Sequence, residues 1–243
     1  MKLHIFNPEH DIALAANQEC FTAPHAGRRL RTDLGFIPAF WASEGDMVLV
    51  DDVEAAIEAR RHLRKFGNDV VFVTAADLKD FTLDDVKSFQ VEPWGWDRTI
   101  KEQLLRANKG LEPFMPSDDA LATIREMSNR RFAAEHLLPV LREIAESQTV
   151  GESHYCTTME EVLQVLKRNG RSVLKSPWSS SGRGVRYVET TVLDAHLEGW
   201  AANVVKRQGG IMVEPLYNKV YDFGLEFVSN SDGSIDFKGL SLF

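Results

Sequence analysis

Apolar and polar positions follow two different rhythms along this chain. Residues 2–6, KLHIF, alternate as a strand does and stop at Asn7-Pro8. Two further short apolar runs follow, MVLV at 47–50 and DVVFV at 69–73. Between them, EAAIEARRHLRKF (54–66) carries apolar residues at 56, 57, 63 and 66, a spacing that predicts a helix with one face on a sheet. This succession predicts a parallel sheet in roughly the first hundred residues. The segment WDRTIKEQLLRANKG (96–110) is predicted as a helix stopped by Gly110.

Pro113 and Pro116 then break the pattern, and Ser117-Asp118-Asp119 has the form of a helix N-cap. Helices are predicted near 118–127 and 129–146, and again over 157–170, which opens on threonine and closes on glycine. A further helix is predicted over 191–210. IMVEPL (211–216), VYDFGLEFV (220–228) and SIDFKGLSL (234–242) read as consecutive antiparallel strands, the last two joined by a turn at 230–233. The expected fold class is α/β. A parallel N-terminal domain (1–112) precedes an α+β domain with an antiparallel sheet (113–243).

Composition narrows the function classes. The 243 residues suffice for one large or two small domains. A net charge of −8 argues against a generic nucleic-acid surface, so an anionic ligand needs a local basic pocket. No stretch is long and apolar enough to cross a membrane. Cys20 and Cys156 show no metal-ligand spacing and fit a reducing, cytoplasmic setting. Nucleophilic hydrolysis finds no support. Ser153-His154 lacks a Gly-x-Ser-x-Gly setting, and neither cysteine has an activating partner at motif spacing.

The chemistry concentrates in VLKSPWSSSGRGVRYV, residues 173–188. A short apolar strand carrying Lys175 leads into a Ser/Gly loop and a second strand. Gly182 and Gly184 permit unusual backbone geometry, serines 179–181 add hydroxyl donors, and successive N–H groups in such a turn can form an anion-binding nest. Lys175 and Arg183 supply positive charge beside it. The loop is neither a Walker A loop nor a dinucleotide fingerprint, because a strand-like run follows it instead of a helix. A plain turn remains the alternative.

The order of features is the further signal: a basic residue near a helix start, a strand lysine, a Ser/Gly hairpin, a helix, an acidic hinge, and an acid beyond it. This order resembles the ATP-grasp superfamily, with the N-terminal half resembling the α/β domain that precedes the grasp. The motif-level match lies in residues 128–132, 173–188 and 211–226. The resemblance implies that Lys175 and Arg130 contact nucleotide phosphates. It also implies that Ser180, Ser181, Gly182, Arg183 and Gly184 form a flap over them. Glu214 and Leu216 would belong to the adenine hinge, and Asp222 would contact ribose or substrate, with Glu226 on the same strand face. Two departures stand out: arginine replaces the usual lysine at 130, and Ser176 separates Lys175 from Pro177.

His10 and Asp11, in the loop after the first strand, are candidate substrate contacts. Trp41, Trp94 and Trp96 read as core or interdomain packing. The family's magnesium ligands lie beyond the corresponding point of the sequence, so no metal ligand is assigned. The chain reads as the front part of a longer protein, with Mg2+ expected only with the missing C-terminal part. The resemblance therefore implies an ATP-dependent ligase that joins a carboxylate to an amine or thiol through an acyl phosphate. These 243 residues by themselves are expected to be inactive. The other reading is a non-catalytic nucleotide- or peptide-binding regulatory module. The expected partners are a nucleotide and a small carboxylate or peptide, with neither nucleic acid nor membrane. Oligomeric state is left open.

Overall fold

The computed structural model describes residues 1–62, 66–82, 88–145, 149–179, 182–230 and 232–243. Its first part is a parallel sheet of β1 (Lys2–Ile5), β2 (Met47–Leu49), β3 (Val71–Val73) and β4 (Gln90–Pro93), in the order β3-β2-β1-β4. Around it lie α1 (His10–Ala16), α2 (His25–Leu34), α3 (Val53–His62), α4 (Ala75–Lys79) and α5 (Arg98–Ala107). On one face, Leu3, Ile5, Met47 and Val91 pack on Leu78, Ile100 and Leu104 of α4 and α5. On the other, Val48 and Val50 meet Phe36 and Ala56. Burying apolar side chains on both faces is what a parallel sheet requires.

Several sequence expectations shift here. Ala56 of α3 is buried, but Ile57 lies outside and so does Phe66, which falls past the helix end; position 63 is outside the described residues. The helix expected over 96–110 spans only 98–107. Asn108 ends it, and its side chain accepts from the Gly110 amide to start a 3-10 turn (Lys109–Phe114). Gly110 is therefore not the stop. Trp96 packs against the sheet core, whereas Trp41 (51% exposed) and Trp94 (61%) stay largely open, their rings 6.0 Å apart.

Ser117 caps α6 (Asp118–Met127) by accepting from the Ala120 amide at 3.2 Å. Next come α7 (Arg130–Phe132), a π-helical turn (Ala133–Leu137) and α8 (Leu138–Ile144), one after another. The π turn sits just before Pro139, whose missing N–H removes one rung of the helical ladder.

The second four-stranded sheet joins β5 (His154–Cys156), β6 (Ser172–Lys175), β7 (Val185–Val188) and β8 (Ile211–Pro215) in the order β5-β8-β6-β7, all antiparallel. α9 (Met159–Asn169) and α10 (Ala195–Gln208) cover one face, burying Cys156, Val162, Leu166, Leu174, Val188, Ala201, Ile211 and Val213. α9 begins with a capping box between Thr158 and Glu161 and ends at Gly170 with φ +73°, a backbone angle that favours glycine.

β9 (Phe223–Ser229) and β10 (Ile235–Leu242) pair with each other as a separate two-stranded sheet. The three last strands are thus not consecutive partners. β8 is an interior strand of the second sheet, and β9 does not join it among the described residues. The fold class is nevertheless the α/β arrangement expected, a parallel sheet followed by antiparallel ones.

Candidate functional site

Strand periodicity decides which side chains leave the core. Leu174 and Val213 are register partners and face α9 and α10. Their neighbours Lys175 and Glu214 therefore point to the opposite face, which they share with buried Val173 and Met212. There the Lys175 ammonium and the Glu214 carboxylate form an ion pair, and the Ser153 hydroxyl donates to the other Glu214 oxygen at 3.0 Å. Both partners are mostly buried, so neither charge is well solvated and each needs the other.

These groups form one rim of a cleft of about 440 Å3. Its opposite wall is apolar, built from Ala133, Ala134, Leu137, Leu138 and Leu141. Arg130 lies at one end and Tyr217 also lines it. An apolar wall facing a charged rim suits a ligand with a flat apolar part and an anionic part.

Arg130 has a second role that its sequence position did not announce. Its guanidinium donates to the Ser176 carbonyl at 2.6 Å, the Ser179 hydroxyl at 2.9 Å and the Ser179 carbonyl at 2.9 Å. Its own amide donates to the Pro177 carbonyl at 3.1 Å. The planar fork reaches the loop root through two nitrogens, Nη1 holding the Ser176 carbonyl and the Ser179 hydroxyl and Nη2 the Ser179 carbonyl. Burial lowers the guanidinium below its usual pKa, while the charges of Asp11 and Glu214 act in the opposite direction.

Gly184 closes the root of the loop. A Cβ there would come within 2.2 Å of the Ser179 Oγ and 2.9 Å of the Ser176 Cβ. Its carbonyl accepts from the Ser176 amide at 2.8 Å. Gly182, with φ +72°, supplies the turn itself, and the Val185 amide donates back to its carbonyl at 3.1 Å. Arg183 is exposed beside it. Ser180 and Ser181 lie outside the described residues.

Other expected residues sit elsewhere. The Leu216 amide donates to the Arg171 carbonyl at 2.9 Å, which continues the strand pairing. Asp222 pairs with Lys219 at 2.6 Å, and Glu226 accepts from the Ser241 hydroxyl, neither lining the cleft. Among the described residues, no cluster of three or more His, Cys, Asp or Glu side chains is arranged to hold a metal ion.

His10 and Asp11 come from the other end of the chain. His10 Nδ1 lies 3.1 Å from Asp97, whose second oxygen accepts from the Ile100 amide and caps α5. Asn7 bridges to Gly95 through its side-chain amide, donating to the Gly95 carbonyl at 2.8 Å and accepting from its amide at 3.2 Å. The Asp11 side chain makes no hydrogen bond among the described residues, and its negative charge acts to raise the Arg130 pKa.

Sequence reasoning overlooked the wedge that joins the two parts. Arg125 donates to the Leu14 carbonyl of α1 at 2.8 Å and stacks over the Trp178 ring at 4.0 Å. The Trp178 indole donates to the Arg125 carbonyl at 2.9 Å, and its amide donates to Gln208 at 3.0 Å. The loop root is thereby tied both to α1 and to α10.

No protein-family model and no curated protein matches this chain. Solved structures similar to it include an N5-carboxyaminoimidazole synthetase from Staphylococcus aureus complexed with ADP, 11% identical with a TM-score of 0.49, covering 99% of this chain and 54% of that one. A D-alanyl-alanine synthetase A from Vibrio cholerae is 12% identical with a TM-score of 0.42, covering all of this chain and 66% of that one. A RimK-domain ATP-grasp protein from Sphaerobacter thermophilus is 19% identical with a TM-score of 0.39, covering 82% and 72%. The chain spans about half the length of the carboxyaminoimidazole synthetases it matches. Proteins described as ATP-grasp are among the solved structures this chain is similar to.

Proposed function

We propose that this chain binds ATP in the cleft between the Lys175–Glu214 face of β6 and β8 and the helical segment 130–144. We further propose that it forms the nucleotide-binding part of a ligase of the ATP-grasp kind, joining a carboxylate to an amine or thiol. The observation that carries the reading is the convergence of Lys175, Glu214 and Arg130 at the rim of a cleft whose other wall is apolar. In this reading the base lies along Ala134, Leu138 and Leu141, and the phosphates reach Lys175. Glu214 then exchanges its hold on Lys175 for the Ser153 hydroxyl it already engages. Arg130 keeps the loop root in place while the exposed Gly182-Arg183 tip folds over the phosphates.

The chemistry proposed for the whole protein passes through an acyl phosphate. The substrate carboxylate attacks the γ-phosphate, and the nucleophile then displaces phosphate from the acyl group. What these residues contribute is positioning and charge neutralisation.

The test is calorimetric titration of ATP into this chain and into Lys175→Ala. Removing one charge-assisted contact to phosphate should weaken binding by roughly 10- to 150-fold, matching about 1.5–3 kcal/mol for a hydrogen bond to a charged group. No saturable binding by the folded chain, or equal affinity in the variant, would remove the proposal.

A further inference from the structure

Sheet order reverses at β1. The chain winds outward through β2 to β3, then returns to place β4 on the other side of β1, which makes this pair the switch point of the sheet. Leu3 and Ile5 face α4 and α5, so Lys2 and His4 point to the opposite face. Glu92 is the register partner of His4 and shares that face, and Trp94 follows two residues later. On β1 and β4 this face opens into a cavity of about 310 Å3, whose lining includes Lys2, His4, Trp41, Asp46, Glu92 and Trp94. None of its lining residues lines the nucleotide cleft.

The charges of the cavity are unequal, with the carboxylates of Asp46 and Glu92 set against one ammonium, Lys2. Two acceptors also stand free. Asp46 accepts from the Lys2 amide at 2.8 Å and the Ser43 amide at 3.0 Å, and lies 3.2 Å from His4 Nε2. A carboxylate can only accept, so Nε2 carries the hydrogen and the neutral ring keeps its lone pair on Nδ1. The His4 side chain is only 7% exposed, and Nδ1 has no hydrogen bond among the described residues. One Glu92 oxygen holds Lys2 at 3.0 Å, and the other has no partner among the described residues.

Trp41 and Trp94 add open aromatic faces. Their rings, 6.0 Å apart and inclined at 54°, meet as a corner instead of a stack, and Phe6 holds Trp94 edge-on at 5.7 Å. The chain shows what its other accessible indoles take. Arg125 lies over Trp178 at 4.0 Å and Arg186 over Trp200 at 4.8 Å. Among the described residues no such cation covers Trp41 or Trp94.

We propose that this cavity binds a guanidinium group, stacked on the tryptophan corner and donating to Glu92 and to His4 Nδ1. A planar cation with donors along its edge meets the excess negative charge, the free acceptors and the open rings together. The half-exposed Lys2–Glu92 pair contributes little, so a ligand displaces Lys2 at small cost. This site stands apart from the ATP reading.

The test follows the five indole N–H signals of the 243-residue chain as ethylguanidinium is added, with ethylurea as the neutral planar control. Trp41→Phe and Trp94→Phe assign the two signals of interest. The proposal predicts that these two move saturably with ethylguanidinium and ignore ethylurea, while Trp178 and Trp200, already covered, stay still. Glu92→Gln should weaken binding roughly tenfold, the loss of one charge-assisted hydrogen bond at a half-exposed site. Lys2→Gln should leave binding equal or tighten it by up to about fivefold, because a competing cation is gone. No saturable response, an equal response to ethylurea, or weaker binding in Lys2→Gln would overturn the proposal. L-arginine and N-acetyl-L-arginine amide then separate the two sources of a guanidinium. Tighter binding of L-arginine supports a free amino acid as the ligand, and equal or tighter binding of the capped form supports an arginine carried on a peptide.

Discussion

Replacing Arg130 by lysine separates two roles that look alike in a sequence. If charge toward phosphate is what position 130 supplies, lysine keeps most of it. If the forked clamp on the loop root is what matters, lysine fails nearly as badly as alanine. Three side-chain hydrogen bonds hold Ser176 and Ser179, two from Nη1 and one from Nη2, and one ammonium cannot stand at both nitrogen positions. Each bond from a charged donor contributes about 1.5–3 kcal/mol, and water replaces part of that at a half-buried site. We expect the local opening free energy to fall by about 2–4 kcal/mol, while global stability changes far less. Native-state hydrogen exchange reads this directly at two amides of the loop root, Ser176 bonded to Gly184 and Val185 bonded to Gly182. Their exchange should rise roughly 30- to 1,000-fold in both Arg130→Lys and Arg130→Ala. Ser179→Ala in the Arg130→Ala background should add little, because the same bonds are already gone. Protection within about threefold of wild type in the lysine variant would refute the clamp, that change being under 1 kcal/mol.

Gly95→Ala should destabilise the protein by about 1–3 kcal/mol through the clash with the His10 ring, read as a lower urea midpoint at unchanged slope. Burial works against the Asp46 carboxylate, but the Lys2 and Ser43 amides and the His4 ring more than offset it and hold its pKa below 3.8. A depressed folded pKa stabilises above the unfolded value and is lost as pH falls through the folded one. Asp46→Asn should therefore lower the melting temperature at pH 7 and flatten its dependence on pH below about 4. Burial raises the Cys156 thiol to about 11, whereas Cys20 is exposed, so a thiol reagent should modify one cysteine in the native chain and two in denaturant.

Much of this was legible in the residues. Capping chemistry placed Ser117 and Thr158 at helix starts, because a side-chain oxygen there satisfies an otherwise orphan amide. Lys175 ending an apolar strand pointed to a charge in need of a partner, and the chain supplies one in Glu214. What stayed hidden depended on distant partners. β4 (QVEP) has too little apolar character to announce a strand, and only its pairing with β1 creates the switch point. The Arg130 clamp joins residues 46 and 49 positions apart, and no local pattern encodes such a distance. Gly95 between two tryptophans was the one visible trace of the His10 packing, since a glycine there has no turn to explain it. Trp41 and Trp94 misled for the opposite reason: size suggested burial, but β1 presents polar His4 on that face and leaves their rings outside.

Hydrogen exchange of the whole chain with and without ATP tests the central claim most directly. The account predicts slowed exchange over 172–188 and 211–217, the stretches that hold Lys175, the Ser/Gly loop and Glu214, with β2 and β3 unchanged. Unaltered exchange at both stretches under saturating ATP, or protection confined to the N-terminal sheet, would contradict it.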